Sequence, residues 1–272
     1  MAPGFAEIVT MSILLIAFAL AADPTPEQLA LLKTFREEFV AISPGKGDFP
    51  TSFTMGRAEG GSAAERPTRQ VKLMTPFHMA KYEVPQNLWE AVIGSNPSKW
   101  KGKRNSVEML TFAEAGAFCQ KTTELLRAAK LIEPGQVVRL PSEAEWEYCC
   151  RAGTKSVYSF GDEEKDLGPF GWFTGNAAGN DPPVGAKKPN AWGLYDMHGY
   201  LSEWCSDPWH ADYKDAPSGV APWTKGGDEG RHVVRSGSWK DKADRLTSTF
   251  RQGLKGDTLD DAVGLRCVLA DQ

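Results

Sequence analysis

From Thr154 to Arg231, about eighty residues, the chain offers neither the 3.6-residue spacing of apolar side chains that marks a helix nor the alternation that marks a strand. Connections in compact domains are short, and structureless runs beyond about 15 residues are uncommon unless they carry function. Such a chain folds only if side chains packed beneath its loops hold them in place. The composition supplies the means. The 27 Gly and 18 Pro make about a sixth of the 272 residues, against an ordinary background of about an eighth, and nine Trp serve as pins. With 41% hydrophobic residues a proper core is within reach. A loop-rich domain is expected, not a helix bundle.

Regular elements frame that stretch. "TPEQLALLKTFREEFVAI" (25–42) predicts an amphipathic helix capped by Thr25, with Pro26 in its first turn and Leu29, Leu32, Phe35 and Phe39 on one face. From "FTMG" (53–56) the texture changes to short strands and turns, and "RQVKLMTPFHMAKYEV" (69–84) predicts two strands divided by Pro76. A capping box of Thr111 and Glu114 opens a helix over 111–130 whose buried stripe is Ala115, Phe118, Cys119, Thr122 and Leu125. A further box, Ser142 with Glu145, opens "SEAEWEYCCRAG" (142–153), stopped by Gly153. Near the end "HVVRSGSW" (232–239) and "VGLRCVLA" (263–270) predict strands. There is no internal repeat, no low-complexity linker and no boundary after residue 45. The organisation is therefore a leader (1–22), a helix and linker (23–48) and one domain (49–272).

The formal net charge is −4 and the basic residues are dispersed among acidic ones, which excludes a nucleic-acid footprint. "MSILLIAFALAA" (11–22) is uncharged, too short to span a bilayer, and ends in an A-x-A-like site at Ala19-Leu20-Ala21, the pattern of a signal-peptide core. A periplasmic or secreted protein with no membrane span after cleavage is expected, although no Lys or Arg precedes the run; a buried N-terminal helix is the alternative. In an exported chain Cys119, Cys149, Cys150, Cys205 and Cys267 permit up to two disulfides, and their spacing does not pair them. Cys149 and Cys150 lack the accompanying spacing of a zinc site. The histidines at 78, 198, 210 and 232 stand singly, as packing or surface residues do.

"FTMG", "YEVPQNLWEAV", "NPSKWKG", "NSVEMLTFAEAGAFC", "RLPSEAEWEYCCRAGT", "KKPNAWGLYDMHG", "EWCSD", "VVRSGSW" and "GLRC" together resemble the formylglycine-generating enzymes, the sulfatase-modifying factors, in order and spacing over residues 49–270. The resemblance implies an α+β, loop-rich, C-type-lectin-like fold. It also implies a chemistry: Cu(I) held between two thiolates, with O2 oxidising a cysteine in a C-x-P-x-R segment to formylglycine. Soft Cu(I) selects thiolates, yet the first such position falls on Asp241 and the second on Leu246. Where the family reads G-N-x-W-E-W, this chain has Tyr200 for the asparagine and Ser202 for the active-site tryptophan. Cys205 lies close in sequence, but a lone thiolate cannot build a two-sulfur site. Copper is not expected, and no catalytic residue is assigned.

The resemblance further implies a structural calcium site with carboxylates from Asp196 and Glu203 and carbonyl oxygens from Gly199 and Leu201. Carboxylates capping backbone N–H groups in a turn are the competing explanation. It implies a Cys119–Cys267 disulfide, and a groove around Ser202, Ser238, Trp239, Asp241 and Arg245. The charges from Lys240 to Arg245 fit either a solvated loop or a charged ligand. The expected function is non-catalytic: an exported binding or scaffold protein with a peptide or protein ligand and no set oligomeric state. The formylglycine-generating oxidase is the alternative. A third chemistry, that of iron-dependent sulfoxide synthases, needs a histidine triad on a further helical domain, which this sequence does not hold.

Overall fold

The computed structural model describes residues 23–178 and 181–272, so the segment 11–22 read as a signal peptide lies outside the described residues. Thr25 accepts the Gln28 amide while the Gln28 side chain accepts the Thr25 amide, and this box starts α1 (Pro26–Glu37). The helix stops at Glu37 rather than at residue 42. Phe39–Ile42 form β1, because Phe39, Val40 and Ile42 suit an extended ladder and find one. Next come β2 (Ser52–Met55) and β3 (Arg69–Lys72), an antiparallel ribbon, and β4 (Phe77–Ala80), the partner of β1. The short α2 (Gln86–Ile93) ends at Gly94, whose left-handed φ of 94° a side chain would strain.

The box at Thr111 starts α3 (Phe112–Ala128) as its sequence predicts. Its buried face holds Ala115, Phe118, Cys119 and Thr122 but continues through Leu126, leaving Leu125 half-buried. After β5 (Gln136–Arg139), Ser142 and Glu145 box the start of α4 (Glu143–Arg151). α4 ends on two left-handed residues, Ala152 (φ 46°) and the expected Gly153 (φ 87°). The later strands are β6 (Ser202–Trp209), β7 (Asp228–Arg235), β8 (Gln252–Lys255), β9 (Val263–Gly264) and β10 (Val268–Asp271). The single strand expected over 263–270 is thus two, and they enter different sheets. One sheet runs β1-β4-β10-β5; the other runs β8-β7-β6-β9, with β9 parallel to β6.

Apolar side chains of α1, α2 and α3 pack with those of β5 and β10 in one cluster, and a second gathers Met55, Met79, Trp146, Tyr148, Val233 and Val268. Leu32 and Phe35 of α1 are in the first cluster and β1 is in the first sheet. The segment 23–48 is therefore built into the domain rather than appended to it. Cys119 and Cys267 face each other with their Sγ atoms 3.9 Å apart, and all five cysteines are buried thiols.

The long non-periodic stretch is held by close backbone contact as well as by rings. A Cβ on Gly171 would lie 1.9 Å from the His198 carbonyl oxygen, and one on Gly199 would lie 2.3 Å from that of Trp172. Beneath it Phe160 stacks with Tyr158 and Phe170, and Tyr158, Leu167, Ala243 and Leu246 form a third apolar cluster.

Candidate functional site

Glu203 of β6 lies opposite Arg235 of β7, and Ser202 lies beside Val263 of β9. Consequently Tyr200 and Leu201 entering β6, Ser236 to Trp239 leaving β7, and Asp261 entering β9 meet at one end of the second sheet. Tyr200 and Ser236 both take left-handed φ angles, 80° and 82°, a conformation that costs a non-glycine residue on the order of 1–3 kcal/mol. Surrounding bonds hold it. The Tyr200 hydroxyl donates to the Pro182 carbonyl (2.6 Å) and accepts the Ser106 amide (3.2 Å), while the Ser236 hydroxyl accepts the Gly199 amide (2.9 Å). The Trp239 amide donates to the Tyr200 carbonyl (2.9 Å), and its indole N–H to the Asp261 carbonyl (3.1 Å). Between these segments and the loop at 98–108 opens a cavity of about 410 Å³, with Trp100, Trp172, Tyr200 and Trp239 in its walls and the carboxylates of Glu108, Asp181 and Asp261 in its lining.

Those carboxylates differ. Asp261 accepts Lys99 Nζ (2.8 Å), Trp100 Nε1 (3.2 Å) and Lys240 Nζ; against the effect of burial, the two ammonium groups hold it below the usual carboxylate range. Glu108, only 3% exposed, accepts the Trp100 amide at Oε1 (2.9 Å), and its Oε2 has no partner. Burial raises its pKa despite the facing amides of Trp100 and Lys99, and the Asp261 and Asp181 charges add to the rise. Burial also raises Asp181, although Asn105 Nδ2 donates to it at 2.5 Å. The indole N–H of Trp172 is buried without a partner.

Of the expected groove residues, Ser238, Trp239, Asp241 and Arg245 share one turn. The Ser238 amide and hydroxyl both donate to Asp241 Oδ2 (3.0 and 2.7 Å), and Arg245 approaches Oδ1 at 3.4 Å. Only Trp239 of this set lines the cavity. Ser202 is apart from them, buried within β6 with its amide on the Ala262 carbonyl (2.9 Å). Leu246 is wholly buried in the third apolar cluster, and its carbonyl accepts His198 Nδ1 at 2.8 Å. A carboxylate capping its own turn and a buried leucine do not fit Cu(I). Nor are the thiols available: burial pushes Cys150 to about 12 and raises Cys149, Cys205 and Cys267 as well.

The residues expected to hold calcium do not fit it as a set. Both oxygens of Glu203 accept from Arg266 (2.8 and 3.0 Å), and Oε2 also accepts Trp146 Nε1 (2.7 Å). Asp196 Oδ2 accepts the Gly185 amide (2.7 Å), the turn-capping role that competes with the metal explanation, and only its Oδ1 lacks a partner. Ser236 Oγ lies 3.4 Å from the Gly199 carbonyl, and Leu201 lines the cavity. Among the described residues no three His, Cys, Asp or Glu side chains are grouped to hold a metal ion.

Residues 32–271 match the sulfatase-modifying factor enzyme 1-like domain. The chain belongs to the sulfatase-modifying factor family. Among its relatives, the chaperone protein LppX of Paenibacillus barcinonensis is 31% identical over 57% of this chain and 69% of its own length. The inactive C-alpha-formylglycine-generating enzyme 2 of Mus musculus is 28% identical over 73% of this chain and 60% of its own. Against other curated proteins that it matches, the chain spans as little as a fifth of their length. In fold it resembles the solved structure of PvdO from Pseudomonas aeruginosa, with a TM-score of 0.72 at 24% identity over 86% of this chain and 94% of that one. The α+β fold of the sulfatase-modifying factors is thus the fold of this chain. Among the described residues no helix is long and apolar enough to cross a membrane.

Sequence reasoning did not single out Trp100, Glu108, Trp172 or Asp181 for the site. The first two stand inside "NPSKWKG" and "NSVEML", the motifs shared with the sulfatase-modifying factors, and that was their one signal. Trp172 and Asp181 come from the non-periodic stretch, where nothing in the local pattern indicates that they converge.

Proposed function

We propose that this chain is a binding member of the sulfatase-modifying factor family that carries no formylglycine-generating activity, and that its ligand, a peptide or protein segment, docks where the second sheet ends. The observation that carries this reading is the state of the two positions that correspond to the copper thiolates. Asp241 is tied to Ser238 and Arg245, and Leu246 is part of the apolar core. Cys149, Cys150, Cys205 and Cys267 could replace them only by becoming thiolates against their desolvation. The names of two relatives, a chaperone and an inactive enzyme, support a role in binding. Export belongs to the same proposal and rests on residues 11–22 alone. So does a disulfide between Cys119 and Cys267, which the 3.9 Å separation of their sulfurs supports.

The test is mass spectrometry of a C-x-P-x-R peptide incubated with the purified protein, Cu(I) and O2, beside a two-cysteine relative as positive control. An unchanged peptide is expected from folded protein. Conversion of its cysteine to an aldehyde would overturn the proposal and establish the oxidase.

A further inference from the structure

We propose that the 410 Å³ cavity takes an organic cation, an alkylated ammonium or a guanidinium carried on an apolar stem. The assignment rests on reading this end of the sheet as a binding site and names the chemistry of its ligand. Among the described residues four aromatic rings and three acidic residues line the space, and no Lys, Arg or His does. Lys99 and Lys240 neutralise Asp261, but among the described residues Glu108 and Asp181 have no cationic partner. Asp181 is exposed, but Glu108 is buried, where an unpaired carboxylate is costly and a bound cation is the natural partner for it.

The position of Glu108 sharpens the argument. It is buried, it lines the cavity, and one of its oxygens accepts no bond. Its other oxygen accepts the amide of Trp100, a residue that is 45% exposed. Indole faces attract cations through their quadrupole: Lys99, Lys187 and Lys240 already lie over Trp100, Trp172 and Trp239, at 4.7, 3.9 and 5.4 Å from the ring centroids, and a guest cation would share these rings and Tyr200 beside the buried Glu108. The partnerless Trp172 N–H offers a directional bond to an acceptor on the stem, such as the carbonyl of a peptide. The volume lies toward the small end of ligand pockets, which run from about 300 to 1,000 Å³, and suits one side chain or one small molecule. An anion would face three carboxylates, and a neutral apolar guest would leave Glu108 unpaired.

The probes are benzyltrimethylammonium for a free cation and the capped tripeptides Gly-Lys-Gly and Gly-Arg-Gly for a peptide-borne one. Benzyl alcohol and benzoate at equal ionic strength are the controls, and indole fluorescence and calorimetry are the readouts. Saturable binding of at least one cation is expected with a dissociation constant on the order of 1 mM, with neither control binding at that concentration. Glu108→Gln, which keeps the acceptor for Trp100, weakens the cation about tenfold. Asp181→Asn serves the same purpose if Glu108→Gln does not fold, and Glu133→Gln on a distant exposed loop changes nothing. Tighter binding of a tripeptide assigns the ligand to a peptide, and tighter binding of benzyltrimethylammonium to a free molecule. Equal binding of cation and benzyl alcohol, indifference to both carboxylate variants, or no saturable binding of any cation would overturn the proposal. The oxidation assay decides the other reading separately: aldehyde formation with cation binding intact removes the non-catalytic role alone, and no aldehyde with no cation bound removes this inference alone.

Discussion

At the scale of single residues, the fate of Glu203 shows how a recognisable position can change its work. Its carboxylate is wholly buried between Arg266 and the Trp146 indole. Breaking a buried ion pair from one side leaves a desolvated charge and costs about 3–5 kcal/mol. Glu203→Gln is accordingly expected to lose about that much in urea denaturation, and a loss below about 1 kcal/mol would mean that Arg266 finds water or another anion. The same commitment makes calcium a poor guest. Millimolar calcium after chelation with EGTA is expected to leave the melting temperature unchanged, and a rise of several degrees would show that the cation draws Glu203 off Arg266. Asp196, Gly199, Leu201 and Glu203 were nameable from the sequence as a set. What the sequence could not show was the guanidinium of Arg266, 63 positions from Glu203, occupying one of them.

At the scale of elements, α4 explains why the most recognisable stretch of the chain is so uniform in character. Glu143, Glu145 and Glu147 alternate along it, and each holds arginine: Glu143 pairs with Arg235 and Arg251, Glu145 with Arg139, Glu147 with Arg151 and Arg235. This lattice fixes the helix to β7 and to the chain after Leu246, and so sets where the second sheet presents its end. The capping box was legible because it is local; the arginines, up to 108 residues away, were not. β6 was missed for a related reason. Nearly every residue from Ser202 to Trp209 is buried, so both faces are covered and no alternation survives to reveal a strand. Apart from β6 and the first residues of β7, which lie within it, the described part of the non-periodic stretch is loop as expected, but the contacts that order it include bare backbone, which carries no pattern. Gly171→Ala puts a methyl group into the His198 carbonyl, and this variant is expected to lose about 3 kcal/mol or more in denaturant titration. A loss below 1 kcal/mol would show that the two loops can part cheaply.

For the whole molecule, stability should follow pH in two regimes. Despite its burial, Glu143 is held near 2 by Arg251 and Arg235, below the ordinary 4.5. Its contribution is present above pH 4.5 and is lost as pH falls toward 2, on the order of 3 kcal/mol. Above that range His198 is opposed by two aspartates, Asp207 and Asp196, the latter lifted by burial to about 6, so that its contribution declines as pH rises from 3.8 to 6. Burial keeps His198 neutral down to about 4, so its contribution grows as pH rises from 4 to 6.5. Burial lifts Asp207 to about 7, so its contribution declines as pH rises from 3.8 to 7. Denaturant titrations across pH are therefore expected to show a climb between 2 and about 4 and a net decline from 4.5 to 7; a flat or rising profile there would mean that Asp207 and Asp196 ionise inside the fold without cost. Thiol titration in denaturant of protein taken from an oxidising compartment should find three of the five cysteines reactive, since Cys119 and Cys267 are in contact. Five would show that the pair stays reduced. A bridge there would close a loop of nearly 150 residues, worth about 5 kcal/mol in the chain-entropy account.

β1 and β10 pair with opposite edges of β4. The first and last strands thus lie in the same sheet, and everything that shapes the cavity hangs between those two strands as a closed excursion. A pull applied across Phe39 and Asp271 would load the β1-β4-β10 ladder before it reached the binding face. Evolution can exchange the residues of that face while the clasp that shuts the domain stays untouched.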